Sequence, residues 1–314
     1  MIRQSSFIGI VATASGLLIN ASTAQAAAAT WVSATGSDTG TCPITAPCRT
    51  FSFAHSQTNN NGSINVLTSG NFGPLTIAKA ISIVADGVEA VINTGAGGAG
   101  IIVQAGAAAV VSLRGLIIDM RGTANHGIFF FSGAALHVHN SVIRKAGEGI
   151  FLQPASGNLE LYVADTTVAN SAGTGIEIRP NGNANVNVVL DRVRVENSLG
   201  NGMAFFGNST TGIVTATVRD SISAGNGNHG IITAENAGGG TTTAMLERTA
   251  SLNNDEMGVI ASGAGATIRI GNSTVSGNQV GMASFGGGVI QSYGTNKVNG
   301  NGTDGDPSST IASK

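Results

Sequence analysis

Charge is scarce in this chain. Only 10% of its 314 residues are Asp, Glu, Lys or Arg, and these nearly cancel to a formal −2. A near-neutral balance excludes a basic nucleic-acid-binding surface and a polybasic membrane contact. With 42% hydrophobic residues the sequence is not a charged, disordered one either. Aromatic residues make up 4%, and Trp31, Tyr162 and Tyr293 are the only Trp and Tyr. The side chains that usually stack on sugars are therefore few. There are two cysteines, with no Cys-x-x-Cys spacing and no nearby histidines, so a metal or redox pair is disfavoured. Long stretches of helix formers free of glycine are missing, which excludes helical repeats, and the Leu-x-x-Leu-x-Leu frame of leucine-rich repeats is absent as well. After residue 26 no apolar run is long enough to cross a bilayer.

What the chain has in abundance is glycine, 46 in all, and the glycines recur. A Gly followed by an apolar residue appears as Gly100-Ile101, Gly127-Ile128, Gly149-Ile150, Gly175-Ile176, Gly202-Met203, Gly230-Ile231, Gly258-Val259 and Gly281-Met282. The intervals are 27, 22, 26, 27, 28, 28 and 23 residues. Between these anchors lie phrases of one type, such as Asn140-Ser-Val-Ile, Asp165-Thr-Thr-Val and Asn272-Ser-Thr-Val. A period of this size, drifting at the turns, marks a solenoid.

The residue types select which solenoid. Runs of three to six residues rich in Val, Ile, Thr and Phe, bounded by Gly, Asn, Asp and Ser, read as short strands and tight turns. About 25 residues hold three strands and three turns, giving one coil of an all-β, right-handed parallel β-helix with strands stacked roughly 4.8 Å apart. A left-handed hexapeptide helix would keep a stricter period. The anchor Gly then supplies either a positive φ or a close backbone approach.

Residues 1–26 read as an export signal: Arg3, an apolar core from Phe7 to Ile19, and Ala24-Gln25-Ala26 as a small-x-small cleavage site. Loss of Arg3 would take the charge from −2 to −3. The expected organisation is a signal over 1–26, an N-terminal cap over 27–60, the β-helix over 61–306 and a tail over 307–314. Cys42 and Cys48 bracket a small loop, and two cysteines in an exported chain most simply form one disulfide. Arg49 to Gln57 would make a short amphipathic helix, placed where the first coil's apolar cross-section needs a lid. Trp31-Val-Ser-Ala-Thr-Gly-Ser-Asp, the Cys-loop ending in Pro47-Cys48-Arg49-Thr50-Phe51, Ile64-Asn-Val-Leu and Ser292-Tyr-Gly-Thr-Asn-Lys resemble secreted bacterial parallel β-helix repeat proteins of the pectin-lyase-like superfamily. The resemblance covers nearly the whole chain after the signal. It speaks for fold, since that architecture carries lyases, hydrolases, epimerases and adhesins.

For chemistry, the resemblance implies two patterns to look for. Lyases of this superfamily hold Ca²⁺ in an Asp/Glu cluster and use Arg or Lys as base; hydrolytic relatives carry Asn-Thr-Asp, Asp-Asp, Gly-His-Gly and Arg-Ile-Lys. None of those phrases is present: Asn93-Thr94 runs into Gly95, and Arg269-Ile270 into Gly271. Asp165, Asp191 and Asp220 lie 10, 11 and 10 residues before their anchors and would stack on adjacent coils beside Arg219. That arrangement reads either as carboxylates for Ca²⁺ with an Arg base or as turn caps neutralised by neighbouring Arg. His126 and His229 share a turn position four coils apart, roughly 19 Å, and cannot act together. His137 and His139 flank an inward Val138 and face outward, two potential ligands without a third.

A second pattern is apolar. If the residue after each anchor Gly points inward, the next points out. The outward column reads Phe129, Phe151, Glu177, Ala204, Ile232, Ile260, Ala283; two residues on, it reads Phe131, Gln153, Arg179, Phe206, Ala234, Ser262, Phe285. An apolar face marks a contact surface or something folded over it, such as a loop, the tail or a second copy of the chain. With so few Trp and Tyr, a protein partner fits this face better than a glycan. Asn170, Asn197, Asn226, Asn253, Asn254 and Asn278 read as an internal amide ladder, and Asn299 to Asp306 as a polar loop rather than a Ca²⁺ site. The leading expectation is an exported contact protein with no metal or cofactor, engaging a protein or an extracellular glycan. The alternative is a lyase or hydrolase of acidic polysaccharides centred on Asp165, Asp191 and Asp220, with Ca²⁺ if a lyase.

Overall fold

The computed structural model describes residues 27–313, apart from 95, 96, 123, 124 and 237. The export signal expected over 1–26 lies outside them. The described chain is a parallel β-solenoid of about eight turns, with about 26 residues per turn and about 2% helix. Each coil gives one strand to each of three parallel sheets, of twelve, ten and nine strands. One coil shows the plan: Ala99–Gln104 joins the nine-stranded sheet, Val110–Arg114 the twelve-stranded and Leu116–Asp119 the ten-stranded.

The glycine anchors set the register. Ile101, Ile128, Ile150, Ile176, Met203, Ile231, Val259 and Met282 pair in one unbroken column. All point into the solenoid and are essentially buried, and inward columns from the other sheets (Leu113, Val138, Val163, Leu190, Val218 and Ile118, Ile143, Val168, Val195) meet them there. Alternation of side chains along each strand thus fills the bore with Ile, Val and Leu, and burial of this surface drives the fold.

None of the anchor glycines has a positive φ. They are required for space: a Cβ on Gly127, Gly149 or Gly175 would lie 2.2–2.4 Å from a methyl of inward Ile143, Val168 or Val195 and within 2.9 Å of the next anchor's carbonyl oxygen. Apart from Cys42 and Asn61 in the N-terminal segment, the left-handed non-glycine residues sit at two other turns. Asn140, Asp165, Arg192, Asp220, Arg248 and Asn272 adopt φ between 47° and 53° between the twelve- and ten-stranded sheets. Lys145, Asn170, Asn197 and Asn253 adopt φ between 52° and 56° after the ten-stranded sheet. Asn and Asp tolerate that region because their short side chains bond locally.

The N-terminal segment both extends and closes the solenoid. Strand Ala27–Val32 pairs with Thr58–Val66 at the edge of the twelve-stranded sheet, and between them lies helix Phe51–Gln57. Thr50 caps the helix by accepting from the Phe53 N–H, and Asp38 accepts from the N–H groups of Arg49 and Thr50. Buried Phe51 packs against Phe72, so the helix lids the first coil. Cys42 and Cys48 form a disulfide that ties this segment down. His55 accepts from the Ala78 N–H through Nε2, which requires neutral imidazole; burial and the nearby Lys79 lower its pKa to about 4. The native state therefore resists a proton that the unfolded chain takes up near 6.5, so the cap's stability is full above pH 6.5 and is lost as pH falls towards 4. Thermal unfolding should show this decline across that window, and His55→Gln should flatten it.

Candidate binding face

The aspartates singled out in the sequence do not form a bare carboxylate stack. Asp165, Arg192, Asp220 and Arg248 occupy one turn column, so charges alternate from coil to coil. Asp191 sits one residue earlier, at the end of its strand, paired in register with Ala164 and Arg219. Arg192 donates to Asp165 at 2.6 and 2.9 Å, and Arg248 donates to Asp220 at 2.7 and 2.9 Å. These forked hydrogen bonds hold both carboxyls below the usual carboxylate range. They also offset the cost of placing Arg192 and Arg248 in the left-handed region. Asp191 is 2% exposed and lies 2.6 Å from Arg192 and 3.0 Å from Arg219. Hydrogen bonding to Asp191 pushes the Arg219 guanidinium up, so it stays protonated and is unavailable to accept a proton. β-Elimination needs carboxylates free for a cation and a base free for a proton, and here the groups are committed to one another. The arrangement is that of a ladder holding coil to coil.

The outer face of the nine-stranded sheet is different. The two columns read from the sequence are in register: Phe129, Phe151, Glu177, Ala204, Ile232, Ile260, Ala283, and beside them Phe206, Ala234, Ser262, Phe285. The face is not uniformly exposed, however. Ala204, Phe206, Ile232, Ala234 and Ile260 form a small hydrophobic cluster of their own, with Met257 against it. Stacked coils bring the side chains of a column into contact, so the middle of the strip closes on itself. What remains open is Phe285 at one end, 48% exposed, and at the other the edge of an aromatic group in which Phe131 is exposed, Phe129 half-buried and Phe151 buried.

That aromatic group is built by a register shift. Strand His126–Ser132 carries an irregularity between Phe130 and Ser132 where it pairs with Ala99–Gln104. The extra residue is Phe131, which is 43% exposed. Beside it Phe129 stacks on Phe151, ring centroids 5.4 Å apart and planes 11° from parallel. The His126 ring stacks on Phe151 at 5.1 Å, and its Nδ1 lies 2.9 Å from a Glu148 oxygen. One coil beyond Phe151 comes Glu177, whose side chain is 8% exposed and 3.0 Å from Arg179. Arg179 in turn lies over the Phe206 ring at 4.8 Å. Burial pushes the Glu177 carboxyl up, against the pull of Arg179.

Sequence reasoning does not mark Glu177, Arg179, His126 and Glu148 as one site. The signal present is a charged residue interrupting an otherwise apolar outward column. His229, four coils along, pairs with Glu256 at 3.2 Å and stays apart from this group. Among the described residues no group of three or more His, Cys, Asp or Glu side chains is gathered for a metal ion, and no helix is long and apolar enough to cross a membrane.

No known protein-family profile matches the chain, and no curated protein matches it in sequence. Among solved structures it is similar to the pectate lyase Pel9A, with a TM-score of 0.58 and 13% identity over 82% of this chain and 76% of that one. A second match is the A-module of the Azotobacter vinelandii mannuronan C-5 epimerase AlgE4, at TM-score 0.36 and 11% identity over 81% of this chain and 91% of that one. The likeness to the lyase is one of fold, the parallel β-helix.

Proposed function

We propose that this protein is an exported contact protein that holds an extended acidic polysaccharide, without cleaving it, on the outer face of its nine-stranded sheet. The observation that supports this reading most is the bulged Phe131 beside the stacked Phe129–Phe151 pair, followed along the axis by Glu177–Arg179. Phe rings take the apolar faces of sugar rings, a guanidinium takes a carboxylate in a forked geometry, and Glu148 and Glu177 accept from hydroxyls. A chain laid along the solenoid meets these groups coil after coil. This combination shifts the balance from a protein partner towards a glycan. The Trp and Tyr that are missing are replaced by clustered Phe, and charged groups sit within the aromatic surface. The pectate lyase of like fold is named for an acidic polymer, which sets the first ligands to test. Export is supported by the N-terminal segment and by the Cys42–Cys48 disulfide, which persists in oxidising compartments.

Titration calorimetry with polygalacturonate and polymannuronate tests the reading. The wild-type protein should bind, and Phe151→Ala and Arg179→Ala should each weaken binding at least about tenfold, as for anchor residues of an interface. Asp220→Asn, on the charge ladder, should leave it unchanged. Absence of binding to either polymer, or binding indifferent to the Phe151 and Arg179 changes, would overturn the reading.

A further inference from the structure

On the outer face of the twelve-stranded sheet, one register position carries Asp191, Arg219 and Glu247 on successive coils, and then Gly271. The backbone does not ask for glycine there, because its φ lies outside the left-handed region. What the missing side chain leaves is space. A Cβ on Gly271 would lie 2.9 Å from Glu247 Oε2 and 3.1 Å from Tyr293 Cδ2. The gap opens into a surface hollow of about 730 Å³, lined by Met245, Glu247, Arg269, Tyr293 and Ile311 among others. That is the size of a small-molecule site. Its walls are tied to the solenoid: the Tyr293 N–H donates to the Ile270 carbonyl at 3.0 Å, and the Ile311 N–H to the Ser292 carbonyl at 2.9 Å. The second of these bonds, with strand Ser309–Thr310 paired to Gln291 and Ser292, sets the tail as one side of the hollow.

The two charges at the rim are not equivalent. Glu247 is already answered, since its Oε1 accepts from Arg248 at 3.2 Å and from Asn272 Nδ2 at 2.8 Å, while Oε2 is left towards the gap. Arg269, in register with Met245, has no carboxylate partner among the described residues. A solvated arginine needs none. This one, however, borders a recess that also offers an open acceptor and an aromatic ring. The recess therefore carries one uncompensated positive charge, and a matching ligand carries one negative charge. Glu247 Oε2 adds a demand for a hydroxyl donor, and the Tyr293 ring, Met245 and Ile311 a demand for a flat apolar body. A polyol would set hydroxyls against Met245 and Ile311. A zwitterion would duplicate the cation that Arg248 already supplies to Glu247.

We propose that the hollow beside Gly271 binds a small hydroxylated aromatic monocarboxylate, with its carboxylate on Arg269, its ring against Tyr293 and its hydroxyl on Glu247 Oε2. The site lies on a different sheet from the Phe151 face and stands or falls without it.

The probe is para-hydroxybenzoate, titrated into the purified protein and followed by calorimetry and ligand-observed NMR, with neutral para-hydroxybenzamide as its counterpart. One molecule of the acid per chain is expected, and the amide should bind at least about tenfold more weakly, because the guanidinium pairs with a charge only in the acid. Arg269→Gln should weaken binding of the acid at least about tenfold and erase its advantage over the amide. Gly271→Leu should abolish binding by filling the gap. The preceding coils carry long side chains at this position, so the fold accommodates one. Unfolding curves check this, and Gly271→Ala replaces the leucine variant if it fails to fold. Phe151→Ala should change nothing. A wild-type protein that does not bind para-hydroxybenzoate, equal binding of acid and amide, or binding that survives both Arg269→Gln and Gly271→Leu overturns the proposal.

Discussion

Gly175→Ala is expected to cost about 3 kcal/mol, an overpacking effect at the upper end of its class. The added methyl would sit 2.2 Å from Val195 Cγ1, 2.9 Å from the Gly202 carbonyl oxygen and 3.0 Å from Ser198 Oγ. Val195 is fully buried and β-branched, so it has no rotamer into which to retreat. The carbonyl belongs to the next coil and is fixed by the Ile176 N–H that it accepts from. Strand spacing cannot widen at one coil without parting the ladder on both sides. Gly87→Ala provides the comparison. Gly87 has φ +74°, and a methyl added there would meet nothing within 4 Å, so only the left-handed strain of about 1–2 kcal/mol applies. Chemical denaturation of the two variants should rank them in that order; equal losses would mean that the anchor glycines serve the turn and not the close approach.

Asn254→Ala is expected to cost about 3 kcal/mol or more, the sum of leaving buried partners unsatisfied and opening a void. Asn254 is 1% exposed. Its Oδ1 accepts from the Asn226 N–H and Nδ2 at 3.1 and 2.8 Å, and its Nδ2 donates to Asn278 Oδ1 at 2.8 Å. Asn278 continues the chain to Asn301 at 2.9 Å. Every rung donates and accepts at once, so one deletion strands groups on two neighbouring coils. Asn253, next in sequence but exposed with φ 52°, is there for its backbone conformation. Asn253→Gly should be close to neutral, and thermal unfolding of the pair measures the contrast.

That contrast also shows what the sequence reveals and what it hides. Asn170, Asn197 and Asn253 share composition and spacing with the ladder residues, yet they face solvent; the internal column runs Ser171, Ser198, Asn226, Asn254, Asn278, Asn301. Adjacent positions of a turn are alike in residue type, and only the geometry of the bend decides which turns inward. The strands are easier to place. Glycine anchors and alternation give the inward column of the nine-stranded sheet and the outward column beside it correctly, because a period of two admits no half-step. The same counting misplaces Asp191, eleven residues from its anchor where Asp165 and Asp220 stand ten away. Arg192 and Arg248 are the residues at ten, and counting arginines as well as aspartates gives the alternating column found in the structure. The group around Glu177 is harder to see because its members come from separate coils: His126, Glu148, Phe151 and Arg179 meet only through lateral stacking.

The charge ladder and the aromatic face occupy separate parts of the surface. The turn column binds coil to coil, with its carboxylates committed to arginines. The nine-stranded face leaves Phe131, Phe285 and part of the half-buried Arg179 towards solvent. Binding is therefore expected in one place, and no elimination chemistry in the other.

The ultraviolet absorbance of unsaturated uronate ends, followed while the purified protein is incubated with polygalacturonate or polymannuronate and Ca²⁺, tests this division most directly. A flat trace is expected under conditions in which calorimetry registers binding. A rising trace that disappears in Asp191→Asn or Asp220→Asn would contradict it and make the ladder an active site.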